Sequence, residues 1–218
     1  MHTLTHRRPG LFNWSLIVGI ALWLLPIAPS WADMAQTPTE AVRTTIEDVV
    51  RILSNEELKR PDHLAERRQE IEGVLRQRVS YEDMAKQALG AQWLGLETEE
   101  RREFVDLFVQ LLRDSFAGKI DAYADEQVLY LSEQQDERVA EVRTKLSGRK
   151  SDTLLDFRLA DHNGTWLVYD VVIDGASIVH NYRAQFASII RHVSYPGLVK
   201  RMRDRALVVK TSEAVVSQ

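Results

Sequence analysis

The sequence predicts an α+β domain in which a layer of helices packs on a mostly antiparallel, four-stranded sheet. Three observations carry this. From Pro38 to about Ala124 the apolar residues recur at three and four, the period of an amphipathic helix, and after Ala124 the period drops to two. Asn163-Gly164 separates the last two alternating runs, and both residues tolerate positive φ, which is what a two-residue hairpin needs. The stretch VYDVVIDGASIVHNYRAQFASII, Val168 to Ile190, then changes period halfway, so a strand feeds directly into a helix that can fold back on the sheet. Helices first and a meander later is the α+β order.

The elements follow in turn. Thr37-Pro38-Thr39-Glu40 has the form of a capping box with proline at the first helical position, and Val42, Ile46, Val49, Val50 and Leu53 share one face, predicting a helix over Pro38 to Ser54. Pro61 opens a second helix with Leu64, Ile71, Val74 and Leu75 inward. Ser80 caps a short third one through Met84, Ala85, Ala88 and Leu89, ending at Gly90. Thr98-Glu99-Glu100 starts the longest helical pattern, with Phe104, Val105, Phe108, Leu111, Leu112, Phe116 and Ile120 on one stripe and its end at Tyr123; two acids in the first turn suit the helix dipole.

QVLYLSE, ERVAEVRTKLSG, DTLLDFRLAD and GTWLVYDVVID then read as four strands. Strict alternation assigns Ala140, Val142, Leu146, Leu155, Phe157, Leu159, Leu167, Tyr169, Val171 and Ile173 to the inner face. Glu141, Arg143, Lys145, Asp156, Arg158 and Asp170 fall on the outer one, where Trp166, Val168 and Val172 indicate partial cover. Ile178, Val179, Tyr182, Phe186, Ile189, Ile190 and Val193 line the closing helix, which Pro196-Gly197 turns into a short basic one.

Residues 1–32 read as a secretory leader: a basic start at His6, Arg7 and Arg8, an uncharged run from Leu11 to Ala28, and small residues at Ser30 and Ala32 before a cut. The alternative is an uncleaved anchor, since about 18 to 20 apolar residues span a bilayer; Pro26 and Pro29 argue against it. Residues 33–218 form one domain. The chain contains no cysteine, which excludes a lipid-anchoring thioether, a disulfide framework and thiolate metal ligands. Its 28 Lys and Arg against 32 Asp and Glu give a net charge of −4, and losing the two leader arginines takes it to −6, so a basic nucleic-acid binder is excluded.

Reactive chemistry is sparse. No HExxH, GxSxG, GxxxxGK[ST] or GxGxxG occurs, no histidine beyond the expected leader lies four from another, and neither a metal site nor a cofactor site is predicted. Ser177 reads as a helix-capping hydroxyl rather than a nucleophile. Asp170 sits mid-strand among apolar neighbours, where a charge is costly unless paired. Arg183, one turn into the following helix, is the expected partner, and a structural ion pair is preferred to a general base. Read from the residues alone, the large aromatics are core.

MAKQALGAQW, TEERREFVDLFVQLL, Tyr123 and above all WLVYDVVIDGASIVHNYRAQF resemble the MlaC family, also called the toluene-tolerance auxiliary component, in order across about Glu40 to Arg205. The resemblance implies a curved sheet under a helical layer, with an apolar cavity between them that holds phospholipid acyl chains. It implies a periplasmic carrier, not an enzyme, that shuttles lipid between an outer-membrane lipoprotein-porin complex and an inner-membrane ABC transporter with a periplasmic ring, maintaining outer-membrane asymmetry. Phe104, Phe108, Leu112, Phe116, Val142, Phe157, Tyr169, Val171, Tyr182, Phe186 and Ile190 are the expected lipid-binding residues. The alternatives are a carrier of hopanoid or another apolar lipid, a periplasmic chaperone with an exposed groove, and, behind both, a small enzyme using Asp170.

Overall fold

The computed structural model describes residues 36–116, 127–148, 151–205 and 207, all within one compact unit, Ala35–Gln218. The expected leader and the far end of the long helix, with Ile120 and Tyr123, lie outside the described residues. Among the described residues no helix is long and apolar enough to cross a membrane.

Helix α1 (Pro38–Leu53) starts with the capping box that its sequence predicts. Glu40 N–H donates to Thr37 Oγ1 at 3.2 Å while Thr37 N–H donates to Glu40 Oε2 at 2.8 Å, so two free donors of the first turn are satisfied reciprocally. A 3₁₀ turn at Pro61–His63 leads into α2 (Leu64–Arg78), which buries only Ile71 fully because its sequence is charged on most sides. Helix α3 (Tyr81–Leu89) is capped by Ser80 and stops at Gly90, whose φ of 66° is open to glycine at little cost. Helix α4 (Thr98–Phe116) turns Phe104, Phe108 and Leu112 inward.

The sheet is an antiparallel meander in the order β1 (Gln127–Asp136), β2 (Val139–Ser147), β3 (Asp152–His162), β4 (Thr165–Ile173), β5 (Ala176–Ser177). Five strands replace the four expected because Asp174 and Gly175, both at positive φ, close a second tight hairpin and add the two residues of β5. Asn163 (φ 57°) and Gly164 (φ 89°) make the predicted turn between β3 and β4.

Burial alternates along the whole of β4, at Trp166, Val168, Asp170 and Val172, but these side chains do not all keep to one face of the sheet. The register runs Phe157↔Val171 and Arg158↔Asp170, then jumps to Leu159↔Val168, leaving Tyr169 as an extra residue in a bulge. A bulge inverts the alternation beyond it. Trp166 and Val168, expected on the outer face, therefore join Ala140, Val142 and Leu159 in the core, and Leu167 and Tyr169 do not.

Helix α5 (Ile178–Arg203) is two helical segments meeting at Ser194, whose φ of 65° and ψ of 172° break the helix two residues before Pro196. The helix packs chiefly on α3, and less on α4 and β4. The described core accordingly falls into separate clusters. One joins α3, α4 and α5 with Trp93 and Leu96. A second sets Ala41 and Val42 of α1 on Ala140, Val142, Leu159, Trp166 and Val168 of the sheet, and a third joins α1 to α2.

Candidate functional site

No strand residue belongs to the core of α3, α4 and α5, and no residue of α4 or α5 belongs to the core of α1 and the sheet. Helix α4 packs on α3 and α5 and scarcely touches the sheet. Along the margins stand apolar side chains that the protein covers only in part. On the helical side these include Leu111, Phe116, Ile189 and Ile190, on the sheet side Tyr130, Phe157 and Val171, and Val79 borders both. Partly covered apolar side chains beside each of the two cores leave hydrocarbon surface for which the chain provides incomplete cover, a feature an apolar ligand can exploit.

The expected lipid-binding residues divide between these settings. Phe104, Phe108, Tyr182 and Phe186 pack on one another, with ring centroids 5.3 to 6.2 Å apart and edge-to-face contacts of Phe104 and Phe108 with the α5 rings. They are at most 1% exposed, so their own neighbours already cover them. Burial raises the pKa of the Tyr182 phenol, opposed by its hydrogen bond to Ser115 Oγ at 3.1 Å. Leu112 and Val142 are also enclosed, one in each core. Phe116 and Ile190 on the helical margin, and Phe157 and Val171 on the sheet margin, keep partial exposure. Tyr169 stands at the bulge, where burial raises its pKa and the charges of Arg158, Asp170 and Glu141 act on its hydroxyl.

The ion pair expected between Asp170 and Arg183 is replaced by another. Asp170, 2% exposed, accepts from Arg158 Nη1 at 3.1 Å, from Ser177 Oγ at 2.7 Å and from the Val179 N–H at 3.1 Å. Arg158 is its cross-strand neighbour and also donates to Glu141 Oε2 at 3.2 Å, so one guanidinium ties β2, β3 and β4 together. Burial works against the charge of Arg158, but the Glu141 hydrogen bond and the fields of Asp170 and Glu141 outweigh it and raise its pKa. Asp170 thus lies beneath the first turn of α5, where free N–H donors and the helix dipole favour an anion. Ser177 caps the same turn by accepting from the His180 N–H at 2.9 Å. Arg183 sits instead against Gly90 at the end of α3: a Cβ on that glycine would lie 3.1 Å from the arginine Nε.

Such an anchor holds a helix to a strand; its carboxylate is occupied by three donors and is not presented to a substrate. Alternation and helical periodicity pointed to the interior but could not separate an enclosed ring from a marginal one. Val79 and Tyr130 were not singled out at all. Val79 lies just past the end of α2, outside both the helical and the alternating pattern, and makes an isolated bridge to Val168.

The MlaC protein family matches residues 43–204, most of the chain. The chain belongs to the MlaC family. Among family relatives it is 23% identical, over 134 residues, to the intermembrane phospholipid transport system binding protein MlaC of Haemophilus influenzae. That match spans 59% of this chain and 63% of the Haemophilus protein, less than two thirds of its length. A phospholipid-binding protein from Ralstonia solanacearum, solved in complex with a phospholipid, shares the fold with a TM-score of 0.69 and 26% identity, covering 78% of this chain and 96% of its own.

Proposed function

We propose that this protein is a periplasmic phospholipid carrier that holds acyl chains along the seam between its helical core and its sheet core. The observation that carries the reading is the Ralstonia protein, which has nearly its whole length in this fold and is bound to a phospholipid. The half-covered margin of Phe116, Ile190, Phe157 and Val171 supports the location. Two acyl chains expose on the order of 30 methylenes, and at roughly 0.8 kcal/mol each their exposure to water costs about 25 kcal/mol. A carrier has to replace the bilayer with apolar side chains, and it needs no reactive group to do so. The Haemophilus relative's name supports a place in an intermembrane system. In that system the carrier exchanges lipid with an inner-membrane ABC transporter bearing a periplasmic ring and with an outer-membrane lipoprotein-porin complex, and so contributes to outer-membrane asymmetry. The chain acts as a binding protein rather than an enzyme, after removal of residues 1–32.

Organic extraction and mass spectrometry of the protein purified from the periplasmic fraction test this. Co-purified phospholipid and an N-terminus at Asp33 are expected. Recovery without lipid, from membranes only and with Met1 intact, contradicts it.

A further inference from the structure

Helices α2 and α4 do not pack closely on each other, and their apolar residues belong to different clusters. A charged crossing joins them. Glu72 Oε1 on α2 accepts from Arg76, one turn further along, through Nε at 2.9 Å and Nη2 at 2.5 Å, and from Arg113 of α4 through Nη2 at 2.5 Å. Two cations share one carboxylate oxygen, and Asp106 of α4 acts on Arg76 more weakly than Glu72 does. The side chains of Arg76 and Arg113 are 66% and 46% exposed against 21% for Glu72, so guanidinium donors not used by the carboxylate are open to water. Tyr81 at the start of α3 stands beside them: burial raises its pKa, and Glu72, Arg113 and Arg76 all act on its hydroxyl, which remains a neutral donor. Phe116, about one turn beyond Arg113, is a half-buried apolar residue of the helical margin, while Leu75, next to Arg76, packs on the cluster of α1 and α2.

We infer, building on the carrier reading, that Arg113 and Arg76 seat the phosphodiester of the bound lipid, while Glu72 holds the two guanidiniums in place. Arg76 and Arg113 face Glu72 and, more weakly, Asp106, so the crossing carries no net excess of charge and a phosphodiester is taken up through the guanidinium donors left open to water. Acyl chains lodged along the margin bring the glycerol phosphate to the water-facing rim where these donors stand. Arginine suits this role because its planar fork meets two phosphate oxygens at once. Glu72 can yield part of Arg113 because exposed ion pairs are weak.

The test compares binding of phosphatidylglycerol and of diacylglycerol with identical chains to the full chain and to Arg113→Gln, Arg76→Gln/Arg113→Gln and Glu72→Gln, each checked by thermal melting. The wild type is expected to prefer phosphatidylglycerol. Arg113→Gln is expected to lower phosphatidylglycerol affinity about three- to tenfold and leave diacylglycerol binding unchanged. Glu72→Gln releases the two guanidiniums it holds and is expected to lower phosphatidylglycerol affinity while sparing diacylglycerol; tighter phosphatidylglycerol binding by this variant overturns the positioning role of Glu72. Equal weakening of both lipids by Arg113→Gln, or no change in either, overturns the headgroup site and leaves the carrier reading standing. Failure of the wild type to take up either lipid overturns both. Inorganic phosphate alone, at matched ionic strength, is expected to leave the melting temperature unchanged. An Arg113-dependent rise with phosphate, without a difference between the two lipids, identifies a free-anion site and overturns the assignment.

Discussion

Asp170→Asn removes a buried negative charge from three donors while keeping the side chain's size. The amide oxygen can still accept from the Val179 N–H, but the amide nitrogen then faces Ser177 and Arg158, both of which donate to the wild-type carboxylate. Losing hydrogen bonds that involve a charged group costs about 1.5–3 kcal/mol, and losing the anion beneath the α5 N-terminus adds about 0.3–1 kcal/mol. A total of about 3 kcal/mol lowers the melting temperature of a domain this size by roughly 6–12 °C. Arg158→Gln is expected to cost only about 1 kcal/mol, because its side chain is 40% exposed and water screens the pair. Thermal and urea melts of the single and double variants form two double-mutant cycles. Positions 170 and 158 are expected to couple by about 1 kcal/mol, whereas 170 and 183 are expected to add within about 0.5 kcal/mol. An Asp170→Asn protein as stable as wild type, or a larger coupling to Arg183 than to Arg158, refutes the anchor.

Ser194→Gly is expected to stabilise by about 1 kcal/mol, since φ 65° and ψ 172° belong to a region essentially reserved for glycine; a lower melting temperature counts against strain at the kink. Gly90→Ala is expected to cost about 1–3 kcal/mol, because its φ is positive and the new Cβ meets the Arg183 Nε, and an unchanged melt contradicts this. Burial, reinforced by Glu100 and Glu103 and opposed by Arg203, pushes the Tyr195 phenol up to about 12. Because this folded-state value lies above the ordinary one, the associated stability is intact below about pH 10 and is lost as pH rises toward 12. Phenolate absorbance that Tyr195→Phe removes near pH 10 rather than near pH 12 contradicts it.

The helix starts and the hairpin were legible because each depends on local chemistry. Thr37 and Glu40 satisfy each other's amides, Ser80 and Ser177 cap the helices that follow them, and Asn163-Gly164 takes the positive φ values its composition permits. The inner face of β4 was not legible, since one bulged residue, Tyr169, reverses every side chain beyond it and leaves no mark in an alternating sequence. The partner of Asp170 was missed for a related reason. Arg183 is nearer in sequence, but Arg158 stands directly across the sheet, and cross-strand register is set by the whole meander. The candidate site was half legible: periodicity found its inward-facing residues, while the division between enclosed core and partly covered margin depends on which elements pack on which, as with α4 on α3 and α5.

The account's central claim is that acyl chains lie along the margin between the two cores. Placing a small photo-reactive amino acid at Val171, at Ile190 and, as a control, at Arg158, then irradiating the lipid-loaded protein and weighing it intact, tests that claim most directly. Phospholipid adducts are predicted at Val171 and Ile190 and not at Arg158; equal labelling at all three positions, or none at the two apolar ones while lipid is still extractable, contradicts it.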